Sequence, residues 1–183
     1  MVAIASVSGG GKTTIALEIC QLLTNAAQSA TTLHFDDYDL LGPNDICDWV
    51  SRGADYAEWD LTPLVEDLRS LGFDSKSADD YLILDYPFSY LHKQLKQFID
   101  LAVFIATPLD IAMVRRLLRD YEHGSIGDVR QDLQVYLTKA RPAYVHMEQT
   151  VKPTCDVVVD GARSPAEIAK EVKQAIHSKG RRL

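Results

Sequence analysis

Residues 2–7, VAIASV, make an apolar run of strand length that passes without a break into Ser8-Gly9-Gly10-Gly11-Lys12-Thr13-Thr14. A helical stripe of Ile15, Ile19, Leu22 and Leu23 follows at once. A strand that ends in consecutive glycines and re-emerges as an amphipathic helix is the arrangement of a polyphosphate-binding loop. Glycines let backbone N–H groups turn inward around an anion without Cβ clashes, and the helix N-terminus adds partial positive charge. Lys12 is then placed to reach the outer phosphates, and the Thr13 hydroxyl to ligate Mg²⁺. Ser8, Gly9, Gly10, Gly11, Lys12, Thr13 and Thr14 are accordingly the candidate nucleotide-binding residues, with ATP and Mg²⁺ as the expected cofactors. Ser6 stands where the spaced pattern G-x-x-x-x-G-K-[ST] has its first glycine, at a backbone angle that glycine adopts more easily than serine.

The rest of the chain agrees with an α/β fold. Further strand-length runs lie at 31–36, 81–85, 101–106 and 156–159, several of them continuously apolar as in buried parallel strands, and segments of helical period separate them. After the fourth run, Ile111, Val114, Leu118 and Tyr121 predict a buried helical stripe. Pro43, Pro63, Pro108 and Pro165 stand where helices would begin. Two stretches, about 37–75 and 120–150, are too long for turns and predict a substrate-binding insertion and a lid, the lid region covering about 115–140. Pro142 predicts a break or kink after Ala140 in the helical segment from Asp128 to Val151. No linker or repeat divides the 183 residues, so one domain, 1–183, is expected.

Composition excludes several partners. The net charge of −7 disfavours a nucleic-acid backbone as the main ligand, and the basic Lys179, Arg181 and Arg182 read as a solubilising tail. The longest apolar run, 101–106, is too short to span a bilayer and the start lacks a basic signal-peptide region, so no membrane and a cytoplasmic location are expected. Cys20, Cys47 and Cys155 lack metal-site spacing and read as reduced packing residues. A homo-oligomer is left open.

Phosphoryl transfer to a hydroxyl needs one carboxylate near the acceptor and another that organises the metal. In an open α/β sheet such groups sit at the carboxyl ends of strands, where Asp36 and Asp85 fall. Either could instead cap a turn. Asp37 and Asp39 follow Asp36, and Asp37 competes with it as the base. On the helix after the fourth strand, Arg115 and Arg119 lie one turn apart with Arg116 beside them, and arginine forks can hold a transferring phosphoryl group.

These features together resemble the uridine kinase and phosphoribulokinase family of P-loop kinases, with the nicotinamide riboside kinases as close relatives. The resemblance is carried by SGGGKTT, FDDYD, EWDLTPL, ILDYPF, RRLLRD and RPAYVHM…VKPTCDVVVDG, and so spans nearly the whole chain. It implies a three-layer αβα fold with a five-stranded parallel sheet and a helical lid. It also implies Asp36 as base, Asp85 with Thr13 as the metal site, and Arg115, Arg116 and Arg119 in the lid, Arg116 toward the nucleotide. Asp60 would bind sugar hydroxyls, with Asp37, Tyr38, Trp59 and Tyr86 also toward the acceptor. Departures are Asp85-Tyr86-Pro87, where glutamate and glycine are usual, and His123 in place of a second lid arginine, whose role Arg130 or Arg141 could take.

The expected activity is therefore ATP-dependent transfer of the γ-phosphate to a hydroxyl of a nucleoside or similar ribosyl metabolite. A nucleoside monophosphate kinase of the adenylate type would instead need arginines facing the acceptor. A non-catalytic ATP-binding switch would leave the acceptor pocket closed. If Asp60 reads a ribose diol, 2′-deoxy acceptors are poor; if it caps the helix near Thr62, its replacement costs stability alone.

Overall fold

The computed structural model describes residues 1–72 and 80–180. Residues 73–79, which include the end of the 37–75 insertion, and residues 181–183, which include Arg181 and Arg182, lie outside the described residues.

Five strands form one parallel sheet: β1 (Val2–Ala5), β2 (Ala30–His34), β3 (Tyr81–Asp85), β4 (Leu101–Ala106) and β5 (Val157–Asp160), in the order β2-β3-β1-β4-β5. Their side chains divide by parity. Val2, Ile4, Ile83, Val103 and Ile105 face one side, where they pack against Ile15 and Ile19 of α1 (Lys12–Thr24). Ile168 and Val172 of the C-terminal helix complete that layer, within Pro165–Gly180. Ala3, Leu82 and Leu84 face the other side, under α2 (Ile46–Ser51), α3 (Thr62–Ser70) and α4 (Lys93–Lys96) and an aromatic cluster that includes Phe35, Trp49, Tyr86 and Phe88. Strands buried on both faces explain their apolar runs, and the αβα sandwich is the fold expected from the alternation.

Register brings the chemistry to one edge. Ile4 and His34 both pair with Asp85, so the ends of β1, β2 and β3 are level. Asp36 does not close β2 as the sequence suggested. The strand ends at His34 and Asp36 lies in a 3-10 turn, Phe35–Asp37, because the buried Phe35 turns the chain inward over the aromatic cluster.

The lid contains α5 (Leu109–Asp120), α6 (Ile126–Val135) and α7 (Arg141–His146); the C-terminal helix is α8. The segment expected to break or kink after Ala140 does not break. Pro142 cannot donate to the preceding turn, so the helix widens into a π-helical turn, Tyr136–Ala140, and Pro142 falls in the first turn of α7. A second π-helical turn, Met147–Val151, follows α7.

The stripe expected on α5 is also wrong, since Val114 and Leu118 are 55% and 72% exposed and the buried residues are Ala112 and Met113. The helix packs on the backbone of the glycine loop rather than on the sheet. A Cβ on Gly9 would lie 2.1 Å from the Ala112 carbonyl oxygen, a contact that excludes larger residues from the loop. Pro63 and Pro165 open their helices and Pro108 caps α5, but Pro43 lies ahead of α2, which Asp45 caps.

Two buried hydroxyls anchor the loop from below. Ser6 Oγ donates to the Ile105 carbonyl at 2.7 Å, and Thr107 Oγ1 donates to the Gly10 carbonyl at 2.8 Å. Ser6 has a negative φ, so serine sits there without backbone strain. Thr107→Val keeps the volume and removes one donor; we expect a loss of about 1 kcal/mol in urea unfolding, with a raised KM for ATP. An unchanged unfolding midpoint would show that this anchor contributes nothing.

Candidate active site

Gly9 and Gly11 have φ of +76° and +98°, in the left-handed region that favours glycine, and they carry the chain from β1 into α1. α1 begins at Lys12, so its unpaired N–H groups open toward whatever the loop encloses. Thr13, in the first turn, donates its hydroxyl hydrogen to Asp85 Oδ2 at 2.6 Å, and His34 Nδ1 lies 3.4 Å from the same oxygen. Asp85 is 3% exposed. A hydroxyl and a carboxylate held together beside a phosphate cradle are the hard oxygen donors that Mg²⁺ takes, alongside phosphate oxygens and water.

Beside this pair lies a cleft of about 330 Å³. Its polar lining comes from the loop and the strand ends: Ser6, Ser8, Lys12, Asp36 and Asp85. Its apolar lining comes from the insertion and the lid, with Phe35, Trp49, Val50, Trp59 and Phe88 on one side and Ala143 and Met147 on the other. Asp36 lines this cleft, whereas Asp37, also exposed, does not.

The lid is docked over the cleft. Tyr144 reaches Ser8 of the loop. His146 Nε2 lies 2.9 Å from the Tyr56 hydroxyl. Burial pushes the Tyr56 phenol up to about 12 and pulls the His146 imidazole down, so the contact joins two neutral groups. Lys139 forms a short ion pair with Asp45 at the start of α2.

The lid arginines divide among three tasks. Arg115 donates to the Gly161 carbonyl at 3.1 Å and lines a smaller depression of about 170 Å³ with Gly11, Thr14 and Arg163. Arg119 pairs with Asp120 at 2.7 Å and is near enough to Asp36 for their charges to interact. Arg116 leaves the nucleotide role expected of it. Its guanidinium is held by Asp132 in a short ion pair and by Asp120 at 3.6 Å, which keep it charged against its burial. His123, Arg130 and Arg141 are exposed and none lines the cleft.

Besides Asp37, three residues expected at the acceptor lie elsewhere. Tyr38 donates to Asp67 of α3 at 2.8 Å. Tyr86 is fully buried in the aromatic cluster, on the same parity as Leu82 and Leu84, and Pro87 and Phe88 take its place in the cleft wall. Asp60 accepts from the Thr62 backbone N–H at 3.0 Å, which ties it to the start of α3 and holds its carboxyl below the usual range. It lines a separate depression with His92 and Gln94. Trp59 does line the cleft. Sequence reasoning missed Phe35, Trp49, Tyr144, His146 and Met147. RPAYVHM contained three of these, but helical period alone does not tell which face of a lid turns inward.

No model of a known protein family matches the chain. A uridine kinase from Leuconostoc citreum is 26% identical, the match covering 87% of this chain and 86% of that one. A uridine kinase from Halobacterium salinarum is 25% identical, over 90% of this chain and 82% of that one. Among solved structures, a possible uridine kinase from Bacillus stearothermophilus superposes with a TM-score of 0.52 at 20% identity, covering 87% of each chain. The chain is thus similar to uridine kinases over most of its length, and it shares its fold with a solved possible uridine kinase.

Because Asp60 serves α3 rather than the cleft, Asp60→Ala is expected to lower Tm while leaving kcat/KM for every acceptor as it was. A selective loss of turnover with ribosyl acceptors at unchanged Tm would return Asp60 to the substrate site.

Proposed function

We propose that the protein transfers the γ-phosphate of ATP to a hydroxyl of a nucleoside or similar ribosyl metabolite, with Asp36 as general base. The observation that carries this reading is one cleft lined by Lys12, Asp36 and Asp85, with Thr13 bonded to Asp85 and apolar walls beyond. The loop backbone and Lys12 hold the phosphates and neutralise charge that grows on them in the transition state. Thr13 and Asp85 would hold Mg²⁺, which would supply charge neutralisation at the phosphate oxygens. Asp36 accepts the acceptor's proton, and Arg119 lies nearby. Arg115 and Arg163 flank the depression beside Gly11 and Thr14, on the nucleotide side of the loop.

Two competing readings find less support. A nucleoside monophosphate kinase needs cationic groups around the acceptor phosphate, and Lys12 is the sole arginine or lysine among the residues lining the cleft. A switch module needs no acceptor chamber, and this one holds about 330 Å³.

Asp36→Asn is expected to lower kcat by roughly 10²-fold or more with little change in KM for ATP, since an amide cannot take the proton. Asp37→Asn, which alters a side chain outside the cleft, is expected to change kcat by less than about threefold. Steady-state kinetics of both variants decide the matter: a silent Asp36→Asn beside a crippled Asp37→Asn would move the base by one residue.

A further inference from the structure

A folded chain rarely leaves a buried polar atom without a partner, because the hydrogen bond given up to water is then never replaced. Among the described residues five buried side-chain atoms are in that position: Gln28 Oε1, Thr32 Oγ1, Trp59 Nε1, Tyr86 OH and Arg116 Nε. Of these five, Trp59 Nε1 alone belongs to a residue that lines the cleft shared by Lys12 and Asp36.

Trp59 is secured at every point except this N–H. Its carbonyl accepts from His92 Nε2 at 3.1 Å, and His92 Nδ1 accepts from the Gln94 backbone N–H at 3.3 Å, so the imidazole is neutral and carries its proton on Nε2. The benzo ring of the indole lies against Gly42, where a Cβ would come within 2.6, 2.8 and 2.9 Å of Cε3, Cζ3 and Cδ2. Cε3 and Cζ3 stand across the indole from Nε1, so the N–H points away from Gly42. The rings beside it, Phe35, Phe88 and Trp49, have centroids 5.4, 5.2 and 6.3 Å away and offer no lone pair. Trp49, by contrast, gives its own Nε1 hydrogen to the Asp55 carbonyl at 2.9 Å. One indole of the wall is thus satisfied within the protein and the other is not.

We propose that Trp59 Nε1 donates a hydrogen bond to the alcohol substrate, which therefore carries a neutral carbonyl oxygen away from its reacting hydroxyl. An anionic oxygen would need a cation beside it, and Lys12, the sole lysine or arginine of the lining, faces the phosphates. A hydroxyl would bring a hydrogen of its own, for which Phe35, Phe88 and Trp49 supply no acceptor. A carbonyl brings lone pairs and no hydrogen, and it leaves neither partner unpaired. The substrate class is then alcohols that bear such a carbonyl, preferred over analogues of the same shape without it. This deepens the kinase reading above and rests on it for the transfer step, while the donor assignment stands on the buried N–H.

Trp49 and Trp59 are the two tryptophans of the chain, so a ¹⁵N-labelled sample gives two indole N–H resonances, which Trp59→Phe assigns. The intact protein, with Mg²⁺ and ADP present, is titrated with uridine and with the C-riboside of benzene, which keeps the sugar and carries no carbonyl. The expected result is a saturable downfield move of the Trp59 resonance with uridine, slower exchange of that hydrogen with water, and no downfield move with the benzene riboside. The Trp49 resonance, already bonded to Asp55, serves as the internal control. Uridine binding that leaves the Trp59 resonance in place, as an N–H resting on a neighbouring ring face would, overturns the inference. So does a titration in which uridine moves no resonance at all. With ATP, the wild type is expected to favour uridine over the benzene riboside by roughly tenfold or more in kcat/KM, and Trp59→Phe to shrink that preference to within about threefold at unchanged KM for ATP. A preference that survives in Trp59→Phe counts against the donor role. A saturable downfield move with uridine but no transfer from ATP would keep the donor assignment and remove the kinase reading instead.

Discussion

Everything in the cleft depends on how closely the glycine loop approaches the lid helix. With the Ala112 carbonyl 2.1 Å from where a Gly9 Cβ would sit, the loop has no side chain to spare and the lid has no freedom to pack elsewhere. Loop and lid thus meet chiefly through close backbone contact. From that contact α5 directs Arg115 toward Gly161 and brings Arg119 near Asp36. Ser6 and Thr107 fix the same loop from the sheet side, through two buried hydroxyls that donate to main-chain carbonyls. A cradle held from both sides can present its N–H groups to phosphate without reorganising, which is what electrostatic catalysis requires.

The phosphate end was legible in the sequence because it is built from neighbours in the chain. Strand, glycines, Lys12 and Thr13 are contiguous, and the left-handed φ of Gly9 and Gly11 is a property that residue type declares. Asp85 was legible because the end of a buried strand is easy to find. The acceptor end was not, since it is assembled from the insertion, the lid and the strand ends, and nothing local says which aromatic faces inward. Tyr86 shows the difficulty: it directly follows Asp85, yet strand parity sends it into the core and leaves the cleft wall to Phe88. Asp60 shows another, because an aspartate two residues before a helix-opening threonine satisfies the local backbone before it can serve a ligand.

The lid was misread for a related reason. A helical period assumes a sheet to pack on, and α5 packs on loop backbone, so its large apolar residues Val114 and Leu118 face outward. Pro142 was expected to break or kink the helix after Ala140, but a π-helical turn takes up the missing donor and the helix runs on into α7. That continuity is what carries Tyr144 to Ser8 and His146 to Tyr56, and so closes the cleft.

The central claim is that one cleft joins a phosphate cradle to an acceptor hydroxyl, and the identity of the labelled product tests it most directly. The protein is incubated with Mg²⁺ and ATP labelled at the γ-phosphate, together with nucleosides and nucleoside monophosphates, and the product is identified by mass spectrometry. The account predicts label on a hydroxyl oxygen of the nucleoside, dependent on Mg²⁺. Label recovered on the phosphate of a monophosphate, or solely as inorganic phosphate, would contradict it.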